Sequence, residues 1–380
     1  MNSVGHPTRR PAPSVATTRG DHIVANLNAI RAHVGGRQVL VAVKADAYGH
    51  GAVEVCRLIE RTGAADWLGV ATVREGVTLR EAGITLPILK LSMARGEEVF
   101  DAVAADLSLV VVDAESIAEA SAAASAQGKT IAVHLKVDTG MRRIGCPPEQ
   151  AAELARQAAA APGLKLVGVM SHLPISDVPV GEEFTRNQIA LFAKVAAEVE
   201  AAVGPLIKHL AASGGVLTYP EAWFDLVRPG IIAYGDYPDP QSPKSVPLLP
   251  TLEWRSTLTF VKKVAAGETV GYSRAWTAPR DTWIGTVPIG YADGYNRRFS
   301  NNARMLVNGR SCEVAGRICM DQVMIDLGPD ATDKVGDVVT VLGRDGDEEI
   351  TTAELAERMG TIPYEVTCLI TPRVGRAFVS

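Results

Sequence analysis

The sequence predicts an α/β fold: an N-terminal (β/α)8 TIM-like barrel followed by a mostly β C-terminal domain. Three observations carry this expectation. Between about residue 20 and residue 235, short runs of small and β-branched apolar residues alternate with Ala-rich segments, as repeated βα units require. The segment YPDPQSPKSVPLLP, residues 237–250, is rich in Pro, Ser and Asp and reads as a linker. Beyond it the period changes to strand-like runs separated by Gly and Asn turns.

Taken in order, residues 1–19 are expected to be disordered or to contribute a strand to the C-terminal domain. Residues 20–240 then form the barrel domain and residues 241–380 the β domain. Candidate barrel strands fall at 39–43, 67–71, 87–91, 108–112, 131–137, 166–171, 207–211 and 225–233. Stretches between them, such as GAVEVCRLIERTG and TRNQIALFAKVAAEVEAAVG, place apolar residues at helical spacing and so bury one face. Eight such units match a closed barrel, although an open doubly wound sheet has the same count. In the second domain LEWRSTLTFVKKV, TWIGTVPIG, ARMLVNGRSCEVAGRI, QVMIDL and DVVTVLG read as strands, with one short helix near 352–359.

Composition excludes several classes of function. The net charge of −5, with Lys and Arg spread along all 380 residues, offers no basic patch for a nucleic acid. No apolar run approaches the ~18 residues that cross a bilayer. The head MNSVGHPTRRPAPSVATTRG has no signal-like apolar stretch, so no membrane partner and a cytoplasmic location are expected. Cys56, Cys146, Cys312, Cys319 and Cys368 are odd in number and form no CxxC pair, which suggests neither a metal site nor a disulfide framework.

In a barrel of this kind the active site gathers where strands end. Lys44 and Tyr48 follow the first strand, Lys136, Asp138 and Arg143 the fifth, His172 the sixth and Ser213 the seventh, while Arg228 lies in the last. RPGIIAYG and ASGG, near the seventh and eighth strands, are small-residue stretches that let backbone N–H groups approach a phosphate; turn formation accounts for either one alone. A lysine in a partly desolvated pocket becomes nucleophilic and condenses with a carbonyl. A phosphate-bearing aldehyde, pyridoxal 5'-phosphate, fits both features. A solvated lysine is the bland alternative, which the apolar flank VAV before Lys44 disfavours.

AVKADAYGHG, HLKVDTGMRRIG, RPGIIAYG, VGYS, IGYADGY, GRICMDQ and TIPYEV, in that order, resemble alanine racemase, a family of pyridoxal-phosphate enzymes of fold type III. The resemblance runs from about residue 20 to the C-terminus. It implies racemisation of alanine by two acid/base groups on opposite faces of the α-carbon, as proton exchange with inversion requires. Lys44 matches the group that also holds the cofactor, and Tyr272 the opposing tyrosine, which in the family comes from the second subunit of a homodimer.

Further roles are implied residue by residue. His172 matches a residue beside the cofactor ring, and Arg228 the arginine at the pyridine nitrogen, with His209 hydrogen-bonded towards it. Tyr48, Ser213, the backbone at Gly230 and Ile231, and Tyr364 match phosphate ligands. Arg143 matches an arginine near the substrate carboxylate, oriented by Lys136, which is carbamylated in many members. Tyr291 and Met320, with Asp321 nearby, match residues at the substrate entrance. His50 reads as structural.

The chain departs from the family pattern at Ala212, where Asn is usual, and at Ser273–Trp276 after Tyr272, where Gly is common first and Thr third. The head RGDHIVANL also differs. A racemase of broader amino-acid range on the same scaffold is the second reading. A related pyridoxal-phosphate decarboxylase is disfavoured by the VGYS and RICMDQ pair, and a non-catalytic cofactor carrier by the long β domain.

Overall fold

Parallel pairing closes the barrel. A computed structural model describes residues 13–380, so the expectation for residues 1–12 lies outside the described residues. The described chain begins with β1 (Val15–Arg19) and the helix Gly20–His33, and then enters the barrel strands β2 (Gln38–Ala42), β3 (Trp67–Val70), β4 (Ile88–Lys90) and β5 (Leu109–Val111). β6 (Ile131–Lys136), β7 (Leu164–Met170), β8 (Ile207–His209) and β9 (Leu226–Val227) complete the set. They form two four-stranded sheets, ordered β4-β3-β2-β9 and β5-β6-β7-β8, and every pair is parallel. Parallel bridges Leu89 to Ser108 and Ala212 to Arg228 join the sheets at both seams, which makes the ring closed rather than an open doubly wound sheet. Leu40, Leu89, Val110, Met170 and Leu226 pack together as one apolar cluster.

Helices return the chain between strands, as parallel order demands. Ala52–Thr62 buries Val55, Cys56, Leu58 and Ile59, one apolar face of an otherwise charged segment. Val73–Glu81 starts at a capping box: Thr72 accepts from the Glu75 N–H, while the Glu75 side chain accepts from the Thr72 N–H. The last expected barrel strand, 225–233, ends at Val227, because Pro229 has no N–H to continue a ladder. A 3-10 turn, Ile231–Tyr234, follows instead.

The described chain divides into two units, Gly20–Thr251 and residues 13–19 together with Leu252–Val379. The sequence reading put the boundary at 240, within the Pro-rich segment. The Pro-rich segment is sewn to the barrel: Asn26 donates to the Leu249 carbonyl at 2.9 Å and accepts from its N–H at 2.8 Å. Ser242 donates to the Asp177 carbonyl at 3.0 Å, and Ser245 to that of Leu217 at 2.8 Å. Composition identified a segment without regular structure but not the side chains that anchor it.

In the second unit β1 pairs antiparallel with Leu252–Thr257 and parallel with Gly375–Val379 inside a seven-stranded sheet. Arg304–Val307 and Arg310–Glu313 form a hairpin whose Asn308 and Gly309 both take positive φ, the tight turn that Asn-Gly favours. The helix Thr352–Met359 falls where the sequence placed one, and a second, Pro363–Cys368, begins at proline. Among the described residues, no helix is long and apolar enough to cross a membrane.

Asn26 is buried, and its side chain satisfies both backbone groups of Leu249. Asn26→Ala is expected to destabilise the barrel unit by about 2 kcal/mol, since an unpaired buried polar group costs ~1–3 kcal/mol. Urea denaturation of the two proteins side by side measures this.

Candidate active site

The end of β2 is built around an uncommon backbone. Lys44 is followed by Ala45, Asp46, Ala47 and Tyr48, all with φ between 51° and 56°, a short left-handed turn made without glycine. Each such residue costs roughly 1–2 kcal/mol relative to right-handed backbone, so the surroundings must hold the turn. Glu75 accepts from the Ala45 N–H at 2.7 Å, and its other oxygen accepts from Ala71 and Thr72. Asp46 accepts from the Ala52 N–H at 2.7 Å. The buried His50 donates from Nδ1 to the carbonyls of Ala47 and Tyr48 at 2.9 and 3.0 Å, and its Nε2 lies 2.9 Å from the Thr251 hydroxyl. His50 thus fastens the turn that presents Lys44.

Tyr48 is carried inward by that turn and lies against Gly230, where a Cβ would stand 2.5 Å from its hydroxyl. Any larger residue there would displace the Tyr48 hydroxyl. The Gly230 N–H donates to Ser213 Oγ at 3.0 Å, and Ile231 opens the 3-10 turn that Tyr234 closes by donating to the Ala42 carbonyl at 2.9 Å. Tyr48, Ser213, Gly230 and Ile231 therefore meet in one cradle of small groups and hydroxyls. The ASGG stretch has a different explanation: a Cβ at Gly214 would sit 2.9 Å from the Ser176 backbone, so close packing requires that glycine. The helix Ser213–Thr218 starts at Ala212 without a side-chain cap.

Arg228 is 5% exposed, and both its terminal nitrogens are hydrogen-bonded. It donates to the carbonyls of Ser171 and Leu210 at 2.7 and 3.0 Å, to His209 Nδ1 at 3.2 Å and to His172 Nδ1 at 3.4 Å. A guanidinium has no acceptor, so both imidazoles must present an unprotonated Nδ1 to it. His209 then carries its proton on Nε2, which lies 2.9 Å from Nδ1 of the buried His134, giving a relay Arg228 to His209 to His134. His134 Nε2 has no hydrogen-bond partner and is walled in by the Trp67 ring. Burial lowers Arg228 to about 10, still a cation at neutral pH. Burial and then its neighbouring charges push His172 and His209 well below the usual range, and His134 down to about 3.

Lys136, in β6 two residues after His134, is 5% exposed and donates to the Leu91 carbonyl at 3.3 Å. Burial, then Arg228 and Arg143, lower its ammonium to about 8. Asp138 spends an oxygen on the N–H groups of Gly140 and Arg142, shaping the loop that carries the exposed Arg143.

In the other unit, Tyr272 opens a 3-10 turn after Gly271, with Ser273 and Arg274 at φ 59° and 52°, and is 69% exposed. Tyr291 and Met320 are exposed on adjoining loops, joined by Tyr291 N–H to Cys319 carbonyl and Ala292 N–H to Met320 carbonyl bonds at 3.1 and 3.0 Å. Asp321 pairs with Arg373 at 2.8 Å. Tyr364 is half-buried in the helix Pro363–Cys368.

Reasoning from sequence missed Glu75, whose capping-box spacing TVRE was legible, and His134, which alternation places on the same face of β6 as Lys136. A closed parallel barrel that gathers a lysine, a buried guanidinium and neutral imidazoles at its strand ends is the architecture of an enzyme. Family models match the alanine racemase N-terminal domain over residues 19–238 and the C-terminal domain over 251–378. The chain is 49% identical to the alanine racemase of Cutibacterium acnes over 98% of its own length and 99% of that protein. It is 40% identical to that of Symbiobacterium thermophilum, covering 96% of this chain and 97% of that one. The crystal structure of alanine racemase from Streptomyces lavendulae superposes with a TM-score of 0.91 at 36% identity, covering 98% of each chain. The alanine racemase of Bacillus anthracis with bound L-Ala-P gives 0.89 at 32%, covering 98% of this chain and 96% of that one. The chain belongs to the alanine racemase family and is an isomerase acting on amino acids.

The buried imidazoles make stability depend on pH in one direction. Below the unfolded histidine pKa of 6.5 the unfolded chain binds a proton that His134 refuses until about pH 3. Stability is therefore full above 6.5 and falls as pH drops through that window, by about 1.4 kcal/mol per pH unit for this histidine. His134→Leu is expected to flatten that slope by one proton. Urea melts at pH 7, 6 and 5 on both proteins check it.

Proposed function

We propose that this chain interconverts L- and D-alanine with pyridoxal 5'-phosphate as cofactor, by two acid/base groups on opposite faces of the substrate. The observation that carries this reading is the cradle of Tyr48, Ser213, Gly230 and Ile231 beside the strand end that bears Lys44, in a chain of the alanine racemase family. The cradle supplies a hydroxyl, glycine backbone and room where a Cβ would not fit, which suits a phosphate. Bound there, the cofactor supplies an aldehyde for the amino group of alanine and an electron-poor ring to delocalise charge from the α-carbon.

The chain's own groups divide the remaining work. Lys44 Nζ would hold the cofactor and would also move a proton on one face of the substrate α-carbon; Tyr272 Oη would do so on the other. Arg228, a buried cation whose terminal N–H groups are directed by two carbonyls and two neutral imidazoles, would face the ring nitrogen of the bound cofactor and disfavour its protonation, which would restrain transamination. His172 would lie beside the ring, and His209 orients Arg228. Arg143 meets the substrate carboxylate, and Tyr364 adds a phosphate contact. Tyr291, Met320 and Asp321 line the entrance. Tyr272, Tyr291 and Met320 are large side chains left 69%, 42% and 52% exposed, which suits a face covered by a second copy in a homodimer with shared sites.

Lys136 is proposed to be carbamylated and to orient Arg143. An amine lowered to about 8 is substantially neutral in mildly alkaline solution. Its lone pair attacks the carbon of CO2, one N–H proton passes to water, and an anionic carbamate remains among cations. A 13C NMR spectrum of protein equilibrated with 13CO2 is expected to show one carbamate resonance that Lys136→Ala removes.

The racemase reading is tested with purified protein on L-alanine, L-serine, L-lysine and L-ornithine, with chiral analysis and a carbon dioxide measurement. D-alanine without carbon dioxide is expected, and its absence overturns the reading. Lys44→Ala and Tyr272→Phe are each expected to lower kcat by at least about 100-fold, the scale of a lost general acid/base. Co-expressed, the two variants are expected to recover up to about a quarter of wild-type activity, because half of randomly formed dimers carry one intact shared site. No recovery would place Tyr272 in its own subunit's site.

A further inference from the structure

Lys90, the last residue of β4, has no part in the reading above. Its side chain is buried, yet its ammonium is satisfied: Nζ donates to the Ser92 carbonyl at 3.4 Å, to Ser92 Oγ at 3.2 Å and to the Met93 carbonyl. Three donors thus meet three acceptors on a single loop, which a buried ammonium needs to remain charged. Burial pushes its pKa down, while Glu98 and Glu75 oppose that.

The loop it grips connects to two other strand ends. Leu91, next to Lys90, offers its carbonyl to Lys136 Nζ at 3.3 Å. Ser92 Oγ, while accepting from Lys90, donates to the Ala71 carbonyl at 2.7 Å. The Ala71 N–H donates to Glu75 at 2.8 Å, and the other oxygen of Glu75 takes the Ala45 N–H at 2.7 Å, one residue from Lys44. The path from Lys90 to the turn of Lys44 is therefore continuous through Ser92, Ala71 and Glu75.

We propose that Lys90 is a positioning residue: by fixing the loop after β4 it sets the Leu91 carbonyl for Lys136 and, through Ser92 and Glu75, the left-handed turn that presents Lys44. This rests on the assignment of Lys44 and Lys136 to the active site. Lys90 touches neither substrate nor cofactor in this scheme; it acts by holding backbone. Methionine in its place keeps a long flexible chain of similar bulk but gives up the donors, freeing the carbonyls of residues 92 and 93. A shift of about 1 Å at a reacting group costs on the order of 100-fold, so a smaller loosening is expected to cost on the order of tenfold.

The test compares wild-type, Lys90→Met and Ser92→Ala holoenzymes by alanine kinetics and by hydrogen exchange read peptide by peptide. For Lys90→Met the expectation is a kcat about tenfold lower with the alanine KM within about threefold. Faster exchange is expected in peptides covering 91–95, 71–73 and 45–48 but not in the β domain. Ser92→Ala, which leaves two carbonyl acceptors for Lys90 and cuts the link to Ala71, is expected to speed exchange at 71–73 and 45–48 and to lower kcat less. A kcat within about twofold of wild type, faster exchange spread through both units, or change confined to 91–95 would each overturn the proposal. If Lys90→Met does not fold, Ser92→Ala decides by the same criteria. Should the wild-type protein fail to racemise alanine, the functional reading falls, while the exchange data still judge the path from Lys90 to residues 45–48.

Discussion

The constraint on which the site depends is the left-handed turn after Lys44. Four consecutive non-glycine residues with φ near 55° oppose the handedness of L-amino acids, a cost of roughly 4–8 kcal/mol if each contributes ~1–2. Such a turn persists only where its backbone groups have better partners than water offers. Glu75 and His50 supply them, one from a helix cap and one from the chain just beyond, while the Asp46 side chain ties the turn to the Ala52 N–H of the next helix. What the strain achieves is geometry. It reverses the chain so tightly that Lys44 stays at the strand mouth while Tyr48, four residues on, reaches back against Gly230.

Around that turn the barrel concentrates positive charge. Lys44, Lys136, Arg143 and Arg228 are close enough to influence one another or the histidines between them, and Asp138 is the one acid among the groups acting on Lys136. Burial, and after it the neighbouring cations, lower Lys136 and hold His172 and His209 well below the usual imidazole range. Neutral imidazoles are what Arg228 requires, since only an unprotonated nitrogen accepts from a guanidinium. One arrangement thus sets three tautomers and one cation, and it favours anionic ligands such as phosphate and carboxylate.

Much of this was legible in the sequence. Each barrel strand overlaps the run that alternation picked out, although the last is much shorter than 225–233, because strands buried on both faces read as short apolar runs. Lys44 stood out as an ammonium beside such a run. What escaped were groups acting through space. The spacing TVRE would have marked Glu75 as a helix cap, but nothing local says that one of its oxygens reaches Ala45, 30 residues earlier. Lys90, in PILKLS, has no local signal of a role, and only the folded loop shows its three acceptors. The Pro-rich segment 237–250 was read as a linker because composition reports the absence of periodicity and not the anchoring of Leu249 by Asn26, 223 residues away.

The two departures from the family pattern near candidate groups are explained by backbone. Ser273 occupies φ 59°, ψ 12°, a conformation that glycine adopts without a Cβ penalty and that serine adopts at roughly 1 kcal/mol. The turn survives because its neighbours fix it: Arg274 donates to Thr269 Oγ1 at 3.0 Å, and Asn301 donates to the Ala275 carbonyl at 2.8 Å while accepting from the Gly316 N–H at 2.6 Å. Ala212 gives up a side-chain cap at the helix Ser213–Thr218, but its backbone still bridges to Arg228, and Ser213 Oγ still accepts from Gly230. In both places the conformation is kept although the residue type that most easily adopts it is not. Lys44 and Tyr272 share this device, each standing immediately before left-handed backbone whose cost is met by hydrogen bonds from elsewhere in its own unit.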